Sequence, residues 1–141
     1  MNHALEKFQD FYRQQLIGAD LTRLHKIYSP QILFIDPVDQ LIGIDALRVY
    51  FQHLMNGLGS CRFDISTIQE GDAEAFVIWQ MHIRHPRLRS GAQITVDGSS
   101  HLKFTAQIDY HRDYYDLGAM LYEHLPLLGT AVRHLKGRLA S

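Results

Sequence analysis

Two carboxylates and several histidines carry the residue types that acid–base chemistry needs. Asp36 closes the apolar run Gln31–Asp36 and stands directly before Pro37. A carboxylate beside Phe34 and Ile35 is partly desolvated, which favours its protonated form and suits a general base. The plainer reading of Asp-Pro is a turn starting at a strand end, and local sequence alone favours it. Asp113 lies in Arg112-Asp113-Tyr114-Tyr115-Asp116, at the end of the last strand-like run. It can line a pocket, or make an ion pair or helix-start cap near Leu117. His111 shares strand parity with Asp113. A tight turn at Thr105-Ala106 would set Ser100 opposite His111 across a hairpin. Ser100, His82, His111 and Asp113 would then form a cluster able to bind a polar head group or move a proton near neutral pH. A structural hydrogen-bond network accounts for the same residues equally well.

The remaining histidines point to no metal. His3, His25, His53, His124 and His134 read as helix-surface residues, while His82 and His85 would face opposite ways on a strand. There is no glycine-rich phosphate loop, nucleophile elbow or two-histidine metal motif. Neither metal nor cofactor is expected. Cys61 is the single cysteine, so no disulfide forms within the chain and a reducing compartment fits best.

The elements that must position these groups follow from periodicity. Ala4, Leu5, Phe8, Phe11, Tyr12 and Leu16 recur at helical spacing, and Asp20 is a good N-cap for a second helix with the stripe Leu21, Leu24, Ile27, Tyr28. A third helix carries Ile44, Leu47, Phe51 and Leu54 and ends at Gly57 and Gly59. Strands are expected around Cys61–Ser66, over Ala73–Arg84, Gln93–Phe104 and Gln107–Asp116. Thr105-Ala106 is a poor hairpin turn, so Asp97-Gly98 is the rival turn. A helical tail over 117–141 is broken by Pro126 and Gly129. Helices first and a sheet afterwards predict an α+β fold. A curved antiparallel sheet with the N-terminal helices on its concave face would enclose a pocket.

Ala73–Arg84 is apolar on both faces. One face carries Phe76, Ile78, Gln80 and His82; the other carries Val77, Trp79, Met81 and Ile83. We expect the first set in the pocket with Phe34, Ser100 and Leu102. The second set then lies on the outer sheet face, where a homodimer contact covers it better than the chain's own tail.

Global properties exclude several classes. The chain has 141 residues, the size of a single domain spanning 1–141. It is 46% hydrophobic and 21% charged, with a formal charge of −1, so no basic field attracts nucleic acid. No apolar run is long enough to cross a bilayer. Met1–Glu6 lacks the charged-then-apolar layout of a signal peptide, and a cytoplasmic protein is the expectation. Arg133, Lys136 and Arg138 alternate with apolar residues in the tail, as cations near a helix C-terminus often do.

Three stretches carry a family likeness. They are Phe34-Ile35-Asp36-Pro37, Val96-Asp97-Gly98 with Ser100-His101-Leu102-Lys103-Phe104, and Tyr110 to Leu117 with Leu121-Tyr122-Glu123 and Leu125-Pro126. In this order they resemble the nuclear transport factor 2-like superfamily, and within it the SnoaL-like polyketide cyclases. The resemblance implies a cystatin-like cone around a cavity, commonly dimeric, on a fold that hosts isomerases, lyases, cyclases, hydrolases and non-enzymes. In the related ketosteroid isomerases the proton-shuttling aspartate falls at Asp36 and an oxyanion-binding tyrosine at Tyr12; their third acid is Ser100 here. In the related limonene epoxide hydrolases the water-positioning aspartate falls at Asp113, and its partners align with Gln80 and His82, a departure from that set. We therefore expect an isomerase, lyase or cyclase acting on a small apolar, oxygen-bearing substrate, with Asp36 as base, Tyr12 as donor and His82, His111 and Asp113 in support. A non-catalytic ligand-binding or regulatory domain is the alternative.

Overall fold

The computed structural model describes residues 1–120 and 128–140. Asn2 caps helix α1 (His3–Tyr12): its side chain accepts from the Ala4 N–H at 2.7 Å. Ala4, Leu5, Phe8, Phe11 and Tyr12 form its buried face. Asp20 caps a single 3₁₀ turn at Leu21–Arg23 that runs into α2 (Leu24–Ile27).

Tyr28 does not close this helix but opens strand β1 (Tyr28–Ile35). Its backbone is already extended, as suits a chain about to enter Ser29-Pro30. A short strand absent from the periodicity, β2 (Gln40–Ile42), pairs antiparallel with β1. Gly43, at φ 101°, turns the chain into α3 (Ile44–Asn56). Four longer strands follow: β3 (Ser60–Glu70), β4 (Glu74–Arg84), β5 (Ile94–Phe104) and β6 (Ile108–Tyr115). Asp97-Gly98 lies inside β5, so the last hairpin does turn at 105–107. Helix α4 (Leu117–Met120) and helix α5 (Leu128–Ala140) complete the described elements.

The sheet runs β2-β1-β6-β5-β4-β3, with helices on one face, as an α+β cone. It is mixed rather than wholly antiparallel, because β1 and β6 pair in parallel. Non-local pairing of this kind leaves no turn signal between the two strands. No helix of the described residues is long and apolar enough to cross a membrane.

Strand β4 alternates strictly, and in the opposite sense to the expected one. Val77, Trp79, Met81 and Ile83 are buried on the inner face, against the helices. Phe76 and Ile78 are 47% and 51% exposed on the outer face, with Gln80 exposed and His82 half-buried beside them. Both sets are apolar enough to be buried, so hydrophobicity alone left the parity open. Pairing with β5 decides it. Trp79 sits opposite Gly98, and a Cβ added there would lie 2.2 Å from the indole. Gly98 therefore serves the close approach of a ring, and only the inner face offers that space.

Candidate functional site

The inner face encloses a cavity of about 340 Å³. Its apolar wall includes Leu16, Phe34, Phe51, Phe63, Trp79 and Met81. Its polar groups are Tyr12, Asp36, His53, His85, Asp113 and Tyr115. That size and mixture suit a small organic ligand. The two carboxylates singled out from sequence thus share one cavity, although Asp36 ends β1 and Asp113 lies on β6. The parallel β1–β6 pairing, with Ile35 opposite Arg112, brings them there.

Asp113 is the hub of a buried hydrogen-bond relay. Its Oδ1 accepts from Ser100 Oγ at 2.5 Å and pairs with His111 Nε2 at 2.6 Å. Trp79 Nε1–H donates to Ser100 Oγ at 2.9 Å. On the far side of the imidazole, His111 Nδ1 meets Tyr28 Oη at 2.8 Å, and Tyr28 Oη meets Tyr12 Oη at 2.7 Å. Burial pushes the Tyr12 and Tyr28 phenols well above their usual range, and the nearby Asp113 adds to it. The hairpin register is displaced from the expected one. Ser100 sits opposite Asp113, and Leu102 opposite His111, because the turn takes three residues, leaving Phe104 opposite Ile108, and the ladder shifts by one more between Lys103 and Phe104.

Asp36 is held differently. Oδ1 accepts from the backbone N–H groups of Val38 and Asp39, at 2.8 and 2.9 Å. Oδ2 accepts from Tyr50 Oη at 2.6 Å. This is the turn geometry of an Asp-Pro strand end, and it coexists with a place on the cavity wall. Burial and the Asp36 carboxylate both push the Tyr50 hydroxyl up, so it stays protonated as the donor. Tyr50→Phe is expected to cost about 1.5–3 kcal/mol in urea unfolding, the usual worth of a hydrogen bond to a charged group.

Other expected site residues fall elsewhere. His82 lies on the outer face, bonded to Asp64 Oδ2 through Nε2 at 2.8 Å and to Thr95 Oγ1 through Nδ1 at 2.9 Å, so it does not join His111. Gln80 bonds Asp97 on that same face. Phe76 stacks on His101 there, and Ile78 is exposed. None of the four lines the cavity. Phe34 does, Ser100 reaches it through Asp113, and Leu102 is buried in the core behind them. Val77, Trp79, Met81 and Ile83 are inner-face residues, so they make no dimer surface. Among the described residues no cluster of three or more metal-ligating side chains occurs.

Sequence reasoning did not place Tyr28, Trp79, Tyr50 or Tyr115 in the site. Tyr28 was hidden by a helical stripe that its own strand interrupts. A signal for Trp79 existed in Gly98, a glycine inside a strand run. Cys61 also lines the cavity, and burial pushes its thiol up to about 12, which makes it a weak nucleophile.

The SnoaL-like domain model matches residues 8–108, which include both β1 and most of the inner wall. The chain belongs to the SnoaL-like domain family. Solved structures of similar fold support the architecture of this SnoaL-like domain. One is a ketosteroid isomerase-like protein from Catenulispora acidiphila in complex with trimethylamine, 11% identical, with TM-score 0.75 over 88% of this chain and 94% of that one. Another, from Shewanella denitrificans, is assigned as a SnoaL-like polyketide cyclase, 21% identical, with TM-score 0.68 over 83% and 93%. A third is TerC co-crystallized with polyporic acid, 14% identical, with TM-score 0.71 over 83% and 94%. No curated protein matches the chain significantly.

Proposed function

We propose that this SnoaL-like domain is an acid–base enzyme of the isomerase, lyase or cyclase kind. Its substrate is a small apolar molecule bearing oxygen, held in the inner cavity. One observation carries this reading: Asp113 stands on a mainly apolar wall with one oxygen fixed by Ser100 and His111. Its Oδ2 makes no hydrogen bond among the described residues, so it is available to take a proton from carbon. Asp36 is the base suggested by its Asp-Pro position, yet both its oxygens are engaged by Val38, Asp39 and Tyr50. In this reading Asp113 is the base, Asp36 shapes the cavity rim, and Tyr12 meets the ligand oxygen. Two solved structures of this fold carry small organic molecules, trimethylamine and polyporic acid, which supports a ligand-holding cavity here.

Hydrogen–deuterium exchange at the carbon beside a ketone tests the proposal without knowledge of the full reaction. With 2-tetralone in D₂O, NMR is expected to show exchange catalysed by the protein. Asp113→Asn should slow it by about 10²–10⁴-fold, the usual worth of a positioned acid–base group, while Asp36→Asn should change it far less. Equal exchange in Asp113→Asn would overturn the assignment. The second reading is a non-catalytic binder, favoured by the internal saturation of the relay. Quenching of Trp79 fluorescence by the ketone, without any exchange, would support that reading.

We further place self-association on the outer sheet face, around Phe76, Ile78 and Tyr114, which are half exposed. Ile78→Arg is then expected to convert a dimer to a monomer in sedimentation at micromolar concentration; a wild-type monomer would exclude the dimer. A cytoplasmic setting fits the unpaired Cys61.

A further inference from the structure

The two ends of the inner cavity differ in charge. One end holds Asp36, Asp113 and Tyr115, with Trp79 packed on the Tyr115 ring. The other is made by the close of α3 and the close of β4, where His53, Gly57, Leu58, His85 and Leu88 line it. His85 lies six residues beyond Trp79, about 20 Å of extended strand. The stretches that build this second end, residues 46–63 and 75–96, contain no Asp or Glu. They carry Arg48, Arg62, Arg84, Arg87 and Arg89 besides the histidines. In a chain of formal charge −1, that segregation sets a positive potential at this end.

His85 adds a donor there. Its Nδ1 accepts from the backbone N–H of Arg87 at 3.0 Å. A backbone N–H can only donate, so this bond runs one way and the proton of the neutral ring is on Nε2. A charged ring also carries a proton on Nε2, so the donor is present in either state. Nε2 makes no hydrogen bond among the described residues. Gly57 lies beside it: a Cβ added there would be 3.5 Å from Nε2, and the missing side chain leaves the N–H open to the cavity.

We infer that the cavity takes an elongated organic acid, with an apolar body along the inner wall and a carboxylate bonded to His85 Nε2–H at the end away from Asp113. This rests on the reading of the cavity as the substrate site and names its substrate class. The charges give the cavity a direction. Asp36 and Asp113 repel a carboxylate from their end, while His85 and the surrounding cations hold it at the other. The oxygen-bearing part of the ligand is thereby presented to Asp113 and the acid group is kept from it. His53, exposed on α3, lines the same end and adds a second imidazole to it.

The probes are decanoate, 1-decanol and decylamine, titrated by calorimetry into the whole protein at neutral pH. Decanoate is expected to bind at least about tenfold tighter than 1-decanol, a difference of about 1.4 kcal/mol, and decylamine to bind more weakly than either. His85→Phe keeps a ring beside Gly57 and removes the N–H. It should abolish the preference for decanoate and leave the affinity for 1-decanol unchanged. The wild-type ring gives a reading that needs no variant: in ¹⁵N NMR, decanoate should shift the His85 Nε2 resonance further than 1-decanol does. Equal affinity for the acid and the alcohol would overturn the inference. So would a preference for decanoate that survives in His85→Phe, a His85 resonance that decanoate leaves in place, tighter binding of decylamine, or no binding of any probe. Failure here is distinct from failure of the acid–base proposal. Ketone exchange that depends on Asp113, without preference for decanoate, sinks only the organic-acid inference; a decanoate preference held by His85 without ketone exchange sinks only the reaction.

Discussion

Raising the pH past about 10 is expected to unfold this protein steeply. The reason lies in Tyr12 and Tyr28, which are fully buried and whose phenols are held well above their usual range by desolvation. In the unfolded chain both ionise near their ordinary value of about 10. A raised folded value means that the folded state keeps protons which the unfolded state releases. The stability they contribute is thus whole below about pH 10 and is lost as pH rises beyond it. Each buried phenol removes about 1.4 kcal/mol per pH unit above that point. Two of them together would remove about 5 kcal/mol by pH 12, which is comparable to the stability of a small domain. Urea midpoints measured between pH 8 and 12 check this. Tyr28→Phe is expected to flatten the slope by well under half, because burial also raises Tyr50, Tyr115 and Cys61 and they steepen it too. A slope indifferent to that substitution would show that these phenols are not the cause. The same desolvation keeps both hydroxyls protonated at neutral pH, as the relay requires.

The second large effect concerns the least conspicuous residue of the site. Gly98→Ala places a Cβ between 2.2 and 2.6 Å from three carbons of the Trp79 ring, and neither the strand nor the packed indole can yield cheaply. Displacing Trp79 breaks its bond to Ser100 and its edge contact with Phe63, whose ring centroid lies 5.0 Å away. Overpacking together with the lost hydrogen bond is expected to cost about 2–4 kcal/mol. Trp79 is the single tryptophan, so its fluorescence reports directly on the site. Guanidinium unfolding followed by that signal should show an earlier midpoint and a more solvated native emission. Native emission unchanged from wild type would mean that the ring had not moved. The consequence reaches chemistry, because Ser100 would lose the donor that orients it toward Asp113.

Much of the candidate site was legible in local sequence. Asp36 before Pro37, and Asp113 two residues after His111, were marked by their residue types and by strand parity. Their meeting in one cavity was implied only by likeness to a fold. What local sequence could not assign was the face of β4, because Phe76 and Ile78 are as apolar as Val77 and Met81. Period-two alternation identifies two faces but names neither as the inner one when both are apolar. His82 and Gln80 were lost from the site by that single ambiguity, and Trp79 was gained by it. Tyr28 was lost for another reason: a helical spacing ran past Ile27, and only the strand entered through Ser29-Pro30 redirects the ring.

The sequence by itself determined the order of the longer helices and strands, the family, the cap at Asp20, and the two carboxylates. Each of these depends on neighbours a few residues away, or on a pattern spread along the chain. The tertiary structure alone decided the parallel pairing of β1 with β6, the register that sets Ser100 against Asp113, and the inner face of β4. It also decided the run of hydrogen bonds from Tyr12 to Asp113. Tyr12 and Tyr28 are 16 positions apart and Tyr28 and His111 are 83 apart. No local rule links groups at such separations. Only closure of the core, which strips water from their hydroxyl and ring nitrogen atoms, obliges them to find one another.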